Sequence, residues 1–366
     1  MTDRRQFLQY AAGAAGMIGL YAAGARAEES EIMSSDRPLN FLFLGGTGFI
    51  GPHQIEYALA RGHQVTMFNR GNRTGLFEGR VEEIVGNRDP KIDDGLKLLE
   101  GSRTWDIIVD NSGYVPRHVR ESVKLLGARC DRYIYVSTLS VYDSGAADAF
   151  DEDGPLFAAL PKDVEEITGE TYGPLKAECD RIVRTELGGK ATVVRPTYII
   201  GPGDKSDRFT YWVDRIHRGG DLIGPVNREF PIQVVDVRDL SPWIIQLGEN
   251  GTAGSFNAAA SPWTHEGLLW GIRGTTSAAV NFHWPSAEIS AELELAAPML
   301  EWSEAPITFA NERSLGAGIA YRPLAESATA TLEWWQSQPE ERRANPRGWP
   351  TAEQSQAALE RLRGDA

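Results

Sequence analysis

Phe41-Leu42-Phe43-Leu44 runs directly into Gly45-Gly46-Thr47-Gly48-Phe49-Ile50-Gly51, and an apolar-periodic stretch from Ile50 to Ala60 follows without a break. Strand, tight turn and helix in that order leave few folds open. Glycines let the turn close and let the backbone approach a pyrophosphate, whose charge then rests on amides at a helix N-terminus. Gly46-x-Gly48-x-x-Gly51 and Gly45-x-x-Gly48-x-x-Gly51 are both satisfied, and both are spacings of a dinucleotide-binding turn. Gly45, Gly48, Phe49, Ile50 and Gly51 are therefore the first cofactor-binding candidates.

The 366 residues suffice for one large α/β domain with a smaller lobe, or for two domains, and a hydrophobic fraction of 42% is ample for a core. A net charge of −14 argues against nucleic acid or an anionic membrane as partner, since both call for basic patches. Two cysteines, Cys130 and Cys179, make neither a disulfide framework nor a metal site. The six histidines are scattered with no i,i+4 pair, so no metal is expected.

Arg4-Arg5-Gln6-Phe7-Leu8 precedes a short apolar run, Tyr10 to Ala25, and Ala25-Arg26-Ala27 offers a small-residue cleavage site. The run is too short for a permanent span. It resembles a twin-arginine signal peptide over residues 1–27, followed by a polar linker, 28–37. A periplasmic or otherwise exported protein is expected, without a membrane anchor after cleavage and meeting the twin-arginine machinery only in transit; a cytoplasmic enzyme is the alternative.

Further strands are expected at Gln64–Asn69, Val81–Val85, Trp105–Asp110 and Arg132–Ser137, alternating with helical segments. That alternation predicts a parallel, doubly wound sheet of Rossmann type with ligands beyond the carboxyl ends of its strands. At the end of the second strand, where a carboxylate would hold the adenosine ribose of NAD, stand Asn69-Arg70-Gly71-Asn72-Arg73. Guanidinium groups suit a 2′-phosphate. NADP is favoured, NAD is the alternative, and Asn69, Arg70 and Arg73 join the cofactor candidates.

Taken in order, these residues resemble an extended short-chain dehydrogenase/reductase of the NAD-dependent epimerase/dehydratase family. Gly45 to Gly51 matches its turn. Gly86-Asn87 falls where the family has Gly-Asp near the adenine, which implicates Asn87. Thr138 falls on its Ser/Thr position, and Tyr172-Gly173-Pro174-Leu175-Lys176 is its Tyr-x-x-x-Lys. Arg195-Pro196, Ile200 to Asp204 and Val234 to Asp239 match its later motifs, so the likeness covers about residues 39–260. It implies a Rossmann domain over 38–204 and, over 205–366, mainly a substrate-binding lobe and terminal helices, with 232–258 returning to the Rossmann core.

The chemistry implied is hydride transfer at a hydroxyl or carbonyl carbon of a sugar or polyol. Tyr172 and Lys176, four apart, share one helix face. A neighbouring ammonium is expected to lower the phenol's pKa by roughly 1–3 units, letting Tyr172 act as acid and base while Thr138 orients the substrate oxygen. Lys176 would also hold the nicotinamide ribose, and Asn111 and Tyr114 lie where cofactor or substrate should be. Asp236 is expected to cap the following helix. An acidic insert, Asp151-Glu152-Asp153 with Asp163, Glu165 and Glu166, is expected to overlie the site. Arg228 is the nearest candidate for gripping a diphosphate, and Trp263, Trp270, Trp284 and Trp302 are either sugar-stacking or core residues. The alternatives are an NADPH-dependent carbonyl reductase and a non-catalytic dinucleotide-binding or RNA-binding relative; a homodimer is left open.

Overall fold

A computed structural model describes residues 32–364 apart from residue 94 and residues 301–305. The leader, 1–27, and Trp302 lie outside the described residues.

Seven runs form one parallel sheet: β1 (Asn40–Leu44), β2 (Gln64–Asn69), β3 (Glu82–Val85), β4 (Trp105–Asp110), β5 (Cys130–Val136), β6 (Ala191–Pro196) and β7 (Gly254–Ala258). Their order is β7-β6-β5-β4-β1-β2-β3. The direction of winding reverses between β1 and β4, which opens a crevice past their carboxyl ends. The register brings those ends level: Leu44 pairs with Phe68 and with Asp110, and Asp110 pairs with Tyr135.

The principal helices are α1 (Ile50–Ala60), α2 (Pro116–Leu126), α3 (Gly169–Leu187), α4 (Arg208–Arg218), α5 (Val237–Glu249), α6 (His265–Arg273) and α7 (Leu324–Ser337). On one face of the sheet α1 and α5 pack with Phe41, Phe43, Val109 and Trp243. On the other, α2 and α3 pack with Leu42, Leu44, Ile108 and Tyr133. Phe41 to Leu44 are fully buried, each such side chain contributing about 1.5–3 kcal/mol. β1 is thus apolar on both faces because helices cover both.

The second lobe has a separate core, in which α4, α6 and α7 gather around Trp212, Ile216 and Leu268. A parallel pair, Gly220–Ile223 with Val280–His283, edges it. Strand bounds follow the sequence expectation at β2 and β4. β5 begins two residues early, at Cys130, because that residue pairs with Trp105.

Candidate active site

A cavity of about 990 Å³ opens beyond the sheet. The glycine turn, Asn111, Tyr114, Thr138 and the Tyr172–Lys176 stretch line its sheet side, while Phe230, Ile232, His265 and Met299 line it from the lobe. Its inner end is built for close backbone approach. Gly45 has φ +88°, a left-handed conformation that side chains resist. A Cβ at Gly51 would lie 2.5 Å from the Gly46 carbonyl oxygen, whereas one at Gly48 would meet nothing. Gly51 lets turn and helix pack together, and Gly48 leaves the floor bare. Among the described residues no side chain caps the start of α1, so its first amides remain available to an anion.

The Asn111 amide donates to Gln54 Oε1 at 2.6 Å. That leaves Asn111 Oδ1 and Gln54 Nε2 buried and without a hydrogen-bond partner among the described residues. Open glycine floor, uncapped amides and orphaned buried polar atoms together fit a dinucleotide's phosphates and nicotinamide end.

Asn69 sits at the carboxyl end of β2 as expected, but the expectation that no carboxylate stands there is corrected. β3 lies in register beside β2, and Glu83 Oε1 accepts from Asn69 Nδ2 at 2.7 Å. Sequence adjacency could not reveal it, because the carboxylate comes from the next strand. Arg70 and Arg73 are both exposed, and Arg73 Nη1 donates to the Thr47 carbonyl at 3.0 Å. Asn87 accepts from the Asp89 amide at 2.9 Å, a turn-forming contact. Asn69, Arg70, Arg73 and Asn87 are not among the cavity-lining residues, whereas Gly45, Gly48, Phe49, Ile50, Gly51, Asn111 and Lys176 are.

Thr138, Tyr172 and Lys176 converge on one wall. Thr168 caps α3 through a reciprocal bond with Thr171, placing Tyr172 in the first turns. A Cβ at Gly173 would lie 2.4 Å from the Ser140 carbonyl oxygen, so this glycine lets α3 press against the loop carrying Thr138. The Thr138 hydroxyl donates to Ser140 Oγ at 3.3 Å and lies close enough to the Tyr172 phenol to lower its pKa. Lys176 Nζ, fully buried, donates to the carbonyls of Gly113 at 2.9 Å and Val136 at 2.8 Å, and lies 4.3 Å from the Tyr135 ring centroid.

The expected depression of the phenol's pKa by Lys176 is corrected. Burial pushes Tyr172 up, opposed by the Thr138 hydroxyl and the Arg208 charge, not by Lys176. The ammonium is drawn under two carbonyls instead, and burial pushes it down to about 8.

Sequence reasoning missed several residues around the cavity. Asp110, fully buried at the end of β4, takes both terminal nitrogens of Arg88 at 2.6 and 2.9 Å and the Tyr133 hydroxyl at 2.8 Å. Burial opposes its ionisation, but Arg88 wins and holds the carboxyl below its usual range. A charged residue closing the apolar run Trp105–Asp110 was the available signal. Arg208 lines the cavity and stacks over Tyr198 at 5.0 Å. His265 lines it as well; burial lowers its pKa to about 4, and its Nδ1 is buried without a partner among the described residues.

Phe150 and Phe157 from the insert line the cavity, and Ala149–Phe150 pairs in parallel with Thr308–Phe309. Its acidic residues do not. Glu165 is held by Arg117 at 2.6 Å and Asp153 by Arg313 at 2.8 Å, while Glu152 Oε1 accepts from the Asn257 amide. Asp236 caps α5, accepting from the Arg238 amide at 2.8 Å. Arg228 is committed to Glu266 and to the Trp284 ring. Trp263 and Trp270 are exposed, Trp284 packs on the lobe core, and none of the three is among the cavity-lining residues. Both cysteines are free and buried.

The profile of the NAD dependent epimerase/dehydratase family matches residues 41–259. A chloroplast stem-loop binding protein of 41 kDa from Arabidopsis thaliana is 25% identical over 253 residues. That alignment takes in 64% of this chain and 63% of the relative, so the chain spans less than two thirds of the curated protein it matches. Among solved structures, a putative epimerase from Burkholderia cenocepacia superimposes with a TM-score of 0.63 at 15% identity, over 81% of this chain and 98% of its own. The dTDP-glucose 4,6-dehydratase of Bacillus anthracis in complex with NAD gives 0.61 at 17%, over 82% and 97%. The UDP-glucuronic acid 4-epimerase of Bacillus cereus in complex with NAD gives 0.59 at 16%, over 81% and 98%. At these identities the structures share the fold.

Proposed function

The chain belongs to the NAD-dependent epimerase/dehydratase family, and we propose that it acts on a hydroxyl- or carbonyl-bearing carbon of a sugar or polyol with a bound dinucleotide. The observation that carries this reading is the convergence of Thr138, Tyr172 and Lys176 on a cavity whose inner end is the glycine turn.

The turn, the first amides of α1, Asn111 and Lys176 would hold the dinucleotide. When bound, it supplies the hydride acceptor or donor and, in its oxidised form, a positive charge that favours the phenolate. Thr138 Oγ1 orients the substrate oxygen. Tyr172 Oη takes that oxygen's proton as the carbon is oxidised and returns it as the carbon is reduced. Because burial keeps the resting phenol protonated, Tyr172 is poised as the donor. Lys176 fixes the backbone of Gly113 and Val136 through their carbonyls.

We favour NADP because Glu83 is engaged by Asn69 while Arg70 and Arg73 stand at the same strand end. A free sugar or polyol is favoured over a nucleotide sugar, since Arg228 is spent on Glu266. Export led by Arg4-Arg5 would carry the protein folded, with its cofactor already loaded, to a compartment without a free dinucleotide pool. A cofactor reduced and reoxidised within one turnover suits that setting, as in epimerisation or dehydration. Cofactor that dialyses away rapidly, with activity returning only on adding NADPH, would favour a simple carbonyl reductase.

The stem-loop binding relative raises RNA binding as a second reading, which a net charge of −14 opposes. The test is to purify the protein, identify its nucleotide by mass spectrometry and absorbance, and assay Tyr172→Phe. Turnover is expected to fall by roughly 10²–10⁴-fold with nucleotide content unchanged. Unchanged turnover would sink the assignment, and hairpin RNA binding without any bound dinucleotide would replace it.

A further inference from the structure

Three cations from distant parts of the chain meet at the mouth of the glycine turn. Arg73 Nη1 and Lys205 Nζ donate to one oxygen, the Thr47 carbonyl, at 3.0 and 3.3 Å. Arg347 Nη1 donates to the Lys205 carbonyl at 3.1 Å. Burial and the charges of Arg73 and Arg347 all push the Lys205 ammonium down. In a chain of net charge −14, three positive charges left to repel one another call for an anion.

The structure holds this arrangement in place. Asp207, fully buried with φ 58°, accepts from the Arg342 guanidinium and, at 2.8 Å, from the Arg347 amide. The Trp349 indole donates to its carbonyl at 3.0 Å. Asp207 therefore fastens residues 342–349 to the loop that carries Lys205, and its own charge is spent on Arg342. That loop rests on the first turn of α1, with His53 Nε2 2.9 Å from the Pro202 carbonyl oxygen. Beside it lie the uncapped start of α1 and the unpartnered atoms of Gln54 and Asn111.

We propose that Arg73, Lys205 and Arg347 together hold a phosphate of the dinucleotide, so that the C-terminal segment, beyond the residues 41–259 that match the family, completes the cofactor site. The inference rests on the dinucleotide reading above. The phosphate is either the pyrophosphate common to NAD and NADP or the 2′-phosphate of NADP alone, and charge-assisted donors suit both.

Calorimetric titration of the full chain, freed of any co-purified nucleotide, with NADP, NAD and inorganic pyrophosphate separates these cases, using Lys205→Gln and Arg347→Gln with Arg343→Gln as control. Each of the first two is expected to weaken binding roughly tenfold and the control to leave it unchanged. Weakening confined to NADP identifies the 2′-phosphate, and weakening of all three probes identifies the pyrophosphate. Dinucleotide binding that both variants retain in full overturns the proposal while leaving the enzyme reading standing. Wild-type protein that binds pyrophosphate through these residues, but no dinucleotide, overturns the dinucleotide reading and the assignment of the three cations to its phosphate. Wild-type protein that binds none of the three probes overturns both.

Discussion

Two buried arginine–aspartate pairs flank the cavity, and they support different halves of it. Arg88–Asp110 lies under the glycine turn. Arg88 Nη1 also reaches Ser112 Oγ at 3.0 Å, Ser112 in turn donates to the Leu44 carbonyl, and a Cβ at Gly45 would lie 2.7 Å from Ser112 Cβ. Arg195–Asp180, at 2.8 Å, lies under the opposite wall. Arg195 Nη1 reaches the Tyr142 hydroxyl at 2.7 Å and the Glu152 carbonyl at 2.9 Å, and Tyr142 donates to Asn257. α3 supplies a member to each side one turn apart, with Lys176 under β4 and β5 and Asp180 on Arg195. Buried pairs of this kind add little net stability, yet losing one partner is costly because the other charge is stranded. Their contribution is geometric. One fixes the floor of the dinucleotide end, and the other fixes the wall where substrate would sit.

That division can be broken. Asp110→Ala is expected to lose about 3–5 kcal/mol in urea unfolding and to lose dinucleotide binding with it. Asp180→Ala is expected to lose a similar amount yet keep its dinucleotide, with the defect falling on KM for substrate. Loss of dinucleotide from both variants would merge the two supports into one.

Lys176→Met tests the junction between them through pH. Folded Lys176 gives up its proton near pH 8, whereas the unfolded chain keeps it to the ordinary value of 10.5. Between those values the unfolded state binds more protons, so wild-type stability gains about 3 kcal/mol from this group as pH rises. The Met variant lacks that gain, and comparing unfolding free energies of the two proteins from pH 7 to 10 reads it directly. Parallel curves would place the lysine in water. Gly173→Ala has the smallest expected effect on stability, about 1–3 kcal/mol from overpacking against Ser140. Its effect on kcat is expected to exceed that on dinucleotide affinity, since it pries Tyr172 from Thr138; the opposite order would assign Gly173 to the cofactor half.

The contrast also separates what was legible in the chain from what was not. β1, the turn and α1 could be read directly because apolar run, glycine cluster and helical period follow one another within Phe41–Ala60. Thr138, Tyr172 and Lys176 could be read from their spacing and order, and they do share a wall. The buried charges could not be, since Arg88 meets Asp110 across 22 residues and Arg195 meets Asp180 from a different element. Arginine reads as a surface residue until its partner is known. For the same reason the sequence does not show Glu83 at the end of β2, and its spacing aims the Lys176 ammonium at Tyr172 although backbone carbonyls hold it.

The short parallel ladder joining Ala149–Phe150 to Thr308–Phe309 has a kinetic consequence. Its two halves flank β6 and β7, so the ladder can close only after the whole sheet has been synthesised. Closing so long a loop costs chain entropy that a two-residue pairing repays poorly by itself. On a growing chain the strands of the central sheet therefore precede this ladder, and the Phe150 wall of the cavity closes only once residues 308–309 have joined it.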